Sequence, residues 1–336
     1  VPAQDLDGQA VEGHDGKVLY VWFDAPIGYI SATMEWARDL AGRPDDWRRW
    51  WVTPEDTADG EGPRLLHFIG KDNIPFHCVV FPAMLAMQGA AREGDDFLGP
   101  GAGERWVLPE NVPANEFYNL EGRKFSTSDR WYLDSAHMFE TFGADALRWY
   151  LTVSMPETSD TQFKFDAFAA HVNADLNDTI GNYAARVLKF VKSKLGGVVP
   201  EPGADFEHEV PVPTGAGETE TRALPTVAET RARLSAVFDH GSAEQPSLTD
   251  RLERHEYRRA AEAALAVARL GNLWFDAHQP WKSRKLDDLT DCHTSLWCHC
   301  QILSALAVAL WPFMPGTANT LREMLGLPCL SQAVHA

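Results

Sequence analysis

Apolar positions change their spacing along this chain, and the change divides it. The run Val18-Leu19-Tyr20-Val21-Trp22-Phe23 is β-branched and aromatic and predicts a strand. Asp24-Ala25-Pro26-Ile27-Gly28 breaks it, and a helical stretch follows from Ser31 to Leu40. Leu65-Leu66-His67-Phe68-Ile69 is a second short apolar run, broken by Gly70-Lys71-Asp72-Asn73 and followed by a helical stretch from Phe76 to Met87. Strand, loop and helix therefore recur twice, which predicts a parallel α/β layer with ligands at the carboxyl ends of its strands. Trp106-Val107-Leu108 reads as a third strand after a Gly- and acid-rich surface loop at 90–104. From residue 134 the period becomes helical. Amphipathic helices are expected over 136–152, 165–195, 227–238, 248–278 and 290–325, with a loop or disordered insert at 198–226.

Composition narrows the class. A chain of 336 residues is long enough for two domains. No apolar run reaches the ~18 residues that a membrane-spanning helix needs. The opening Val1-Pro2-Ala3-Gln4-Asp5 lacks a basic flank, an apolar core and an initiator Met, so a fragment or processed chain without a signal peptide is expected. Five cysteines do not frame a chain this long, which fits a reducing cytoplasm. The net charge of −18 argues against binding DNA through bulk charge, but leaves room for a local basic patch.

Three stretches carry candidate chemistry. Trp22 to Tyr29 places large aromatics around a turn at a strand end, which suits a small apolar ligand or ordinary core packing. In Phe68 to His77, Gly70 lets a ligand approach the backbone and Asp72 can accept from ribose hydroxyls. His77 there faces either the pocket or the core. In Asn119 to Arg130, a glycine, two cations and three hydroxyls make either a phosphate-binding loop or a solvated basic turn.

These strings, Val21-Trp22-Phe23-Asp24-Ala25-Pro26-Ile27-Gly28-Tyr29, Phe68-Ile69-Gly70-Lys71-Asp72-Asn73-Ile74-Pro75-Phe76-His77 and Leu120-Glu121-Gly122-Arg123-Lys124-Phe125-Ser126-Thr127-Ser128, resemble the methionyl-tRNA synthetases. The resemblance implies α/β plus all-α architecture. It places the second half of a Rossmann-like parallel-sheet catalytic domain at 1–118, a connective region with the signature loop at 119–165, and a helical anticodon-binding bundle at 166–336. It implies a ligase that activates methionine with ATP and Mg²⁺, then esterifies tRNA(Met). Trp22, Ala25, Pro26, Tyr29 and His77 match the methionine pocket; Gly70, Asp72, Arg123 and Lys124 match ATP-binding positions. Lys124, Ser126 and Ser128 match the catalytic signature loop. Asn182, Arg186, Pro280 and Trp281 match anticodon-reading positions.

Two departures accompany the match. The His-Ile-Gly-His signature and the Cys-rich zinc knuckle of the family's first half are missing, which implies a separate N-terminal half in trans or a truncated chain. Cys298-His299-Cys300 does not replace the knuckle, because residues two apart on a helix do not share a face; no metal site is expected. Thr127 stands where the family's loop has its second lysine. A non-catalytic tRNA-binding or interaction protein derived from a synthetase is the competing expectation.

Overall fold

The structure, a computed structural model, describes residues 13, 25–58, 61–88, 99–203, 209–213, 219–223 and 227–330. The expected strand at 18–23, and Trp22 with it, lie outside the described residues. The chain forms two compact units, Val1–Glu116 and Phe117–Ala336.

In the first unit, helix α1 (Ile27–Glu35) widens into a π-type turn at Trp36–Leu40. A short helix α2 (Arg48–Trp51) leads into strand β1 (Val52–Pro54). Strands β2 (Leu65–Leu66) and β3 (Ile69–Gly70) come next. A second π-type turn, Phe76–Val80, runs into α3 (Phe81–Met87). Strands β4 (Glu104–Trp106), β5 (Pro109–Asn111) and β6 (Ala114–Asn115) close the unit. β2 pairs with β5 and β3 with β6, both in parallel, as the recurrent strand–loop–helix pattern requires. The strand expected at 106–108 sits slightly earlier and runs antiparallel to β1. The core is aromatic: Trp47, Trp51, Phe81 and Trp106 are buried together with Ile30 and Leu85. Trp51 donates its indole N–H to Thr33 Oγ1 at 2.9 Å, so α1 is tied to this core by a satisfied polar bond.

The second unit opens with β7 (Tyr118–Leu120), parallel to β8 (Thr161–Phe163). Between them lie α4 (Ser135–Phe142) and α5 (Ala144–Val153). These replace the single helix expected over 136–152. Gly143 has φ +78°, which ends the first helix, and apolar periodicity carries no sign of such a break. Next comes one continuous helical rod: α6 (Phe165–His171), a π-type stretch Val172–Gly181, and α7 (Asn182–Lys194). Strands β9 (Glu209–Pro213) and β10 (Thr219–Ala223) pair antiparallel, where polar composition reads as a loop or disorder. Helices α8 (Val227–Phe238), α9 (Leu248–Glu253), α10 (Tyr257–His278), α11 (Pro280–Ser283), α12 (Thr290–Leu310) and α13 (Pro315–Met324) complete a bundle.

The 119–165 stretch belongs to the same compact unit as the bundle. Trp149 on α5 is buried in the bundle core, and Arg148 donates to the carbonyls of Pro312 and Phe313 at 2.8 and 2.9 Å. The architecture is thus a parallel α/β portion plus a helical bundle. Among the described residues no helix is long and apolar enough to cross a membrane.

Candidate functional site

Pro26 caps α1, which places Tyr29 in its first turn. His77 lies at the start of the helix after β3. Tyr29 Oη and His77 Nε2 meet at 2.8 Å, and His77 Nδ1 lies 2.9 Å from the carbonyl of Asn73. A carbonyl only accepts, so Nδ1 carries the proton and Nε2 accepts from the Tyr29 hydroxyl. The lone pairs of the phenol oxygen remain available for a donor. Both rings line a cleft of about 400 Å³ together with Ala25, Pro26, Phe68, Ile69, Gly70, Asn73 and Phe76. That size is ordinary for a small-ligand site, and the walls are mostly apolar. Four of the five residues assigned to methionine, Ala25, Pro26, Tyr29 and His77, therefore share one cleft with Gly70. His77 is both buried and pocket-lining, so the pocket and core alternatives coincide in it.

Gly70 has extended backbone at φ −82°, ψ 151°, and a Cβ there meets nothing within 4 Å. Neither conformation nor packing demands glycine, so its backbone lies open on the cleft. Asp72 is exposed in the short 3₁₀ turn Lys71–Asn73, and Lys71 pairs with Glu116.

The residue that the sequence pattern passes over is His67. Its ring lies 5.3 Å from Tyr29, 5.0 Å from His77 and 5.9 Å from Phe81. It is buried, and its Nε2 has no hydrogen-bond partner among the described residues. Burial and the nearby His77 hold its pKa below the ordinary value, which favours a neutral ring packed behind Tyr29 and His77. Its place two residues before Ile69 in an apolar strand run was the available signal.

The signature loop is a compact hairpin. Leu120 and Arg123 exchange both backbone hydrogen bonds around Glu121 and Gly122, whose φ values are +48° and +82°. That is the left-handed two-residue turn which glycine favours. Ser126 and Trp131 exchange a second pair of bonds, leaving Thr127, Ser128, Asp129 and Arg130 at the tip. The Ser126 and Ser128 hydroxyls lie 3.0 Å apart. Arg123 lies over the Trp131 ring at 4.6 Å and Lys124 over Phe117 at 5.3 Å. Among the described residues, neither cation has a carboxylate partner, and both are exposed. The loop thus presents positive charge and hydroxyls without neutralising them internally.

In the bundle, Asn182 and Arg186 sit one turn apart at the start of α7. Arg186 lies over the Phe275 ring at 4.7 Å and pairs with Asp276. Phe275 in turn meets Trp281 at 5.7 Å. Gln279, the residue after α10, turns the chain with a left-handed φ of +47°, and buried Pro280 starts α11. Trp281 is left 38% exposed on the outside of that turn. A half-open indole against Phe275, the ring that also carries the Arg186 guanidinium, is a surface on which an unstacked base can stack. Phe275 and Asp276 escaped the sequence reading because they look like ordinary helix positions.

Cys298, His299 and Cys300 lie on α12 as expected, all buried in the core. Among the described residues, His240, Asp250 and Glu253 bring three potential ligand atoms within 4.8 Å. Both Asp250 oxygens are already engaged, by His240, Gly241 and Ser247, so this cluster is a helix cap in use.

The profile of tRNA synthetases class I (M) matches residues 4–188. The methionine–tRNA ligase of Christiangramia forsetii is 39% identical over 317 residues, covering 94% of this chain and 38% of that protein. The one from Pyrococcus abyssi is 35% identical over 316 residues, covering 94% and 38%. The solved structure of Mycobacterium tuberculosis methionyl-tRNA synthetase in complex with methionyl-adenylate superposes with a TM-score of 0.65 at 27% identity, over 96% of this chain and 54% of that one. The chain spans well under half the length of the curated relatives it matches.

Proposed function

The chain belongs to the class I tRNA synthetases (M), and on that premise we propose that it carries part of the active site and the anticodon-reading surface of a cytoplasmic methionine–tRNA ligase. The observation that carries this reading is the Tyr29–His77 bond across the 400 Å³ cleft. It joins two residues 48 positions apart into one wall suited to a thioether side chain, which offers dispersion and weak sulfur–aromatic contacts.

In this reading methionine lies along Ala25, Pro26, Tyr29 and His77, with Trp22 as a further wall. Gly70 gives the adenosine of ATP room against the backbone, and Asp72 accepts from its ribose. The methionine carboxylate attacks the α-phosphorus, and the bond to pyrophosphate breaks. Arg123 and Lys124 stabilise the charge that develops on the leaving group, and Ser126 and Ser128 donate hydrogen bonds to it. A hydroxyl at the tRNA 3′ end then attacks the adenylate carbonyl and releases AMP. Asn182, Arg186, Pro280 and Trp281 read the anticodon of tRNA(Met).

The remaining length of the relatives, in the same polypeptide or as a separate half in trans, completes the site. Methionine-dependent exchange of pyrophosphate into ATP tests this. The 336-residue chain alone should read near background, and adding the missing length should restore exchange. Strong exchange by the chain alone overturns the division of the site. RNA binding with no exchange under either condition favours the non-catalytic tRNA-binding reading, for which Thr127 in the signature loop is the supporting observation.

A further inference from the structure

Three buried, hydrogen-bonded polar side chains of the bundle lie beneath the candidate base-reading surface. Tyr183 on α7 and His299 on α12 are both 0% exposed, and His278 is the last residue of α10. Tyr183 Oη lies 3.0 Å from His299 Nδ1 and 3.3 Å from the His299 carbonyl. His299 Nε2 lies 3.0 Å from His278 Nδ1. With both rings neutral, one proton sits in each side-chain link, and the three side chains form a hydrogen-bonded line across three helices.

Its two ends are the informative part. Tyr183 follows Asn182 and precedes Arg186 by three residues on the same helix. His278 precedes the Gln279-Pro280-Trp281 turn. The line therefore joins the two elements that carry the reading groups. The His299 ring also touches Phe275 at 5.0 Å, and Phe275 is the ring between Arg186 and Trp281. Gly271 fits the same picture. A Cβ there meets the Tyr183 ring at 2.2 Å, so glycine is required for the phenol to enter the line. An aliphatic core would fill this space without buried polar groups. Neutral hydrogen bonds add little net stability, but they fix direction and register.

We propose that Tyr183, His299 and His278 are positioning residues for anticodon recognition: they hold α7 and the α10–α11 turn in the one register that aligns Arg186 with Trp281. None of the three reaches the surface, so each acts through the reading groups. The proposal rests on the anticodon-reading assignment made above.

The test measures binding of the 336-residue chain to two labelled RNA hairpins at one fixed salt concentration. One hairpin carries a CAU anticodon loop, and the other has its first anticodon base replaced. Tyr183→Phe keeps the ring and the packing and removes only the hydroxyl. It should lower the preference for the CAU loop roughly five- to tenfold, the size of one neutral hydrogen bond, with little change in melting temperature. His299→Leu should abolish most of the preference. His299→Gln, whose amide can accept from Tyr183 and donate to His278, should restore it. A merely structural role would weaken both hairpins equally and follow melting temperature, and that result overturns the proposal. Trp281→Ala is the control for the underlying reading. If it leaves the preference intact, the anticodon assignment itself falls. If it removes the preference while Tyr183→Phe and His299→Leu leave it intact, the positioning line alone falls.

Discussion

At the scale of single residues, Thr127 is the position that the proposed function ties most directly to rate. It sits exposed at the tip of the loop, between Ser126 and Ser128, with Lys124 and Arg123 on the strand leading in. Arg123 and Lys124 rest on aromatic rings and are free to turn toward a phosphate. A threonine at 127 can donate one hydrogen bond and supplies no charge. Where a transition-state donor is lost, ~3 kcal/mol is typical. In the enzyme completed by the missing length, Thr127→Lys should therefore raise the rate of adenylate formation by up to about 10²-fold and leave the methionine KM unchanged. An unchanged rate, measured by single-turnover adenylate formation, would show that Arg123, Lys124 or Arg130 already supplies that charge. Tyr29, His77, Gly70 and the loop cations were legible in the sequence because glycine, proline and aromatic residues punctuate strand ends. His67 and Phe275 were not, since their roles depend on which neighbour's ring they meet.

At the scale of elements, periodicity locates helices but not their interruptions. Gly143 splits one expected helix with a positive φ, and the β9–β10 pair occupies a stretch whose composition suggests a loop. Strands of two or three residues, such as β6 and β7, are too short for any alternation to be seen. Gly271 makes the complementary point inside a helix. By propensity alone, Gly→Ala in the middle of α10 should stabilise the protein by about 1 kcal/mol. Packing says the reverse: the new methyl would overlap three ring carbons of Tyr183, at 2.2, 2.4 and 2.7 Å. The ring cannot swing away, because it is fully buried and its hydroxyl is bonded to His299. Overpacking of this kind costs about 1–3 kcal/mol, so it wins. Gly271→Ala should lower the unfolding free energy in a denaturant titration; a gain in stability would show that α7 and α10 can slide apart at no cost.

At the scale of the whole molecule, the division into a parallel α/β portion and a helical bundle was readable from the switch of apolar period. The compact units divide after Glu116, and the 119–165 region belongs with the bundle. Its helices bury Trp149 in the bundle core, which no local pattern announces. Among the described residues, the bundle core also holds the most perturbed histidines. Burial pushes His278 down to about 4 and holds His299 well below the ordinary value, with His278 and Arg186 adding to the depression of the latter. The groups around His299 include the Tyr183 and Cys300 side chains, whose own burial keeps them uncharged. Folded, both imidazoles are neutral; unfolded, each takes a proton near pH 6.5. The unfolded state thus binds more protons below that pH, and the stabilisation present above it is lost as pH falls from about 6.5 toward 4. Each histidine contributes a slope of up to about 1.4 kcal/mol per pH unit within that window. Exposed His240, raised by its bond to Asp250, works in the opposite direction, since its contribution is lost as pH rises. Comparing the wild-type chain with His278→Gln cancels that term. The unfolding free energy of the wild type should fall more steeply between pH 6.5 and 5 than that of the variant, while the two curves run parallel above pH 7.5. Parallel curves throughout would mean that His278 takes up its proton within the fold, and that the buried line of hydrogen bonds tolerates a charge.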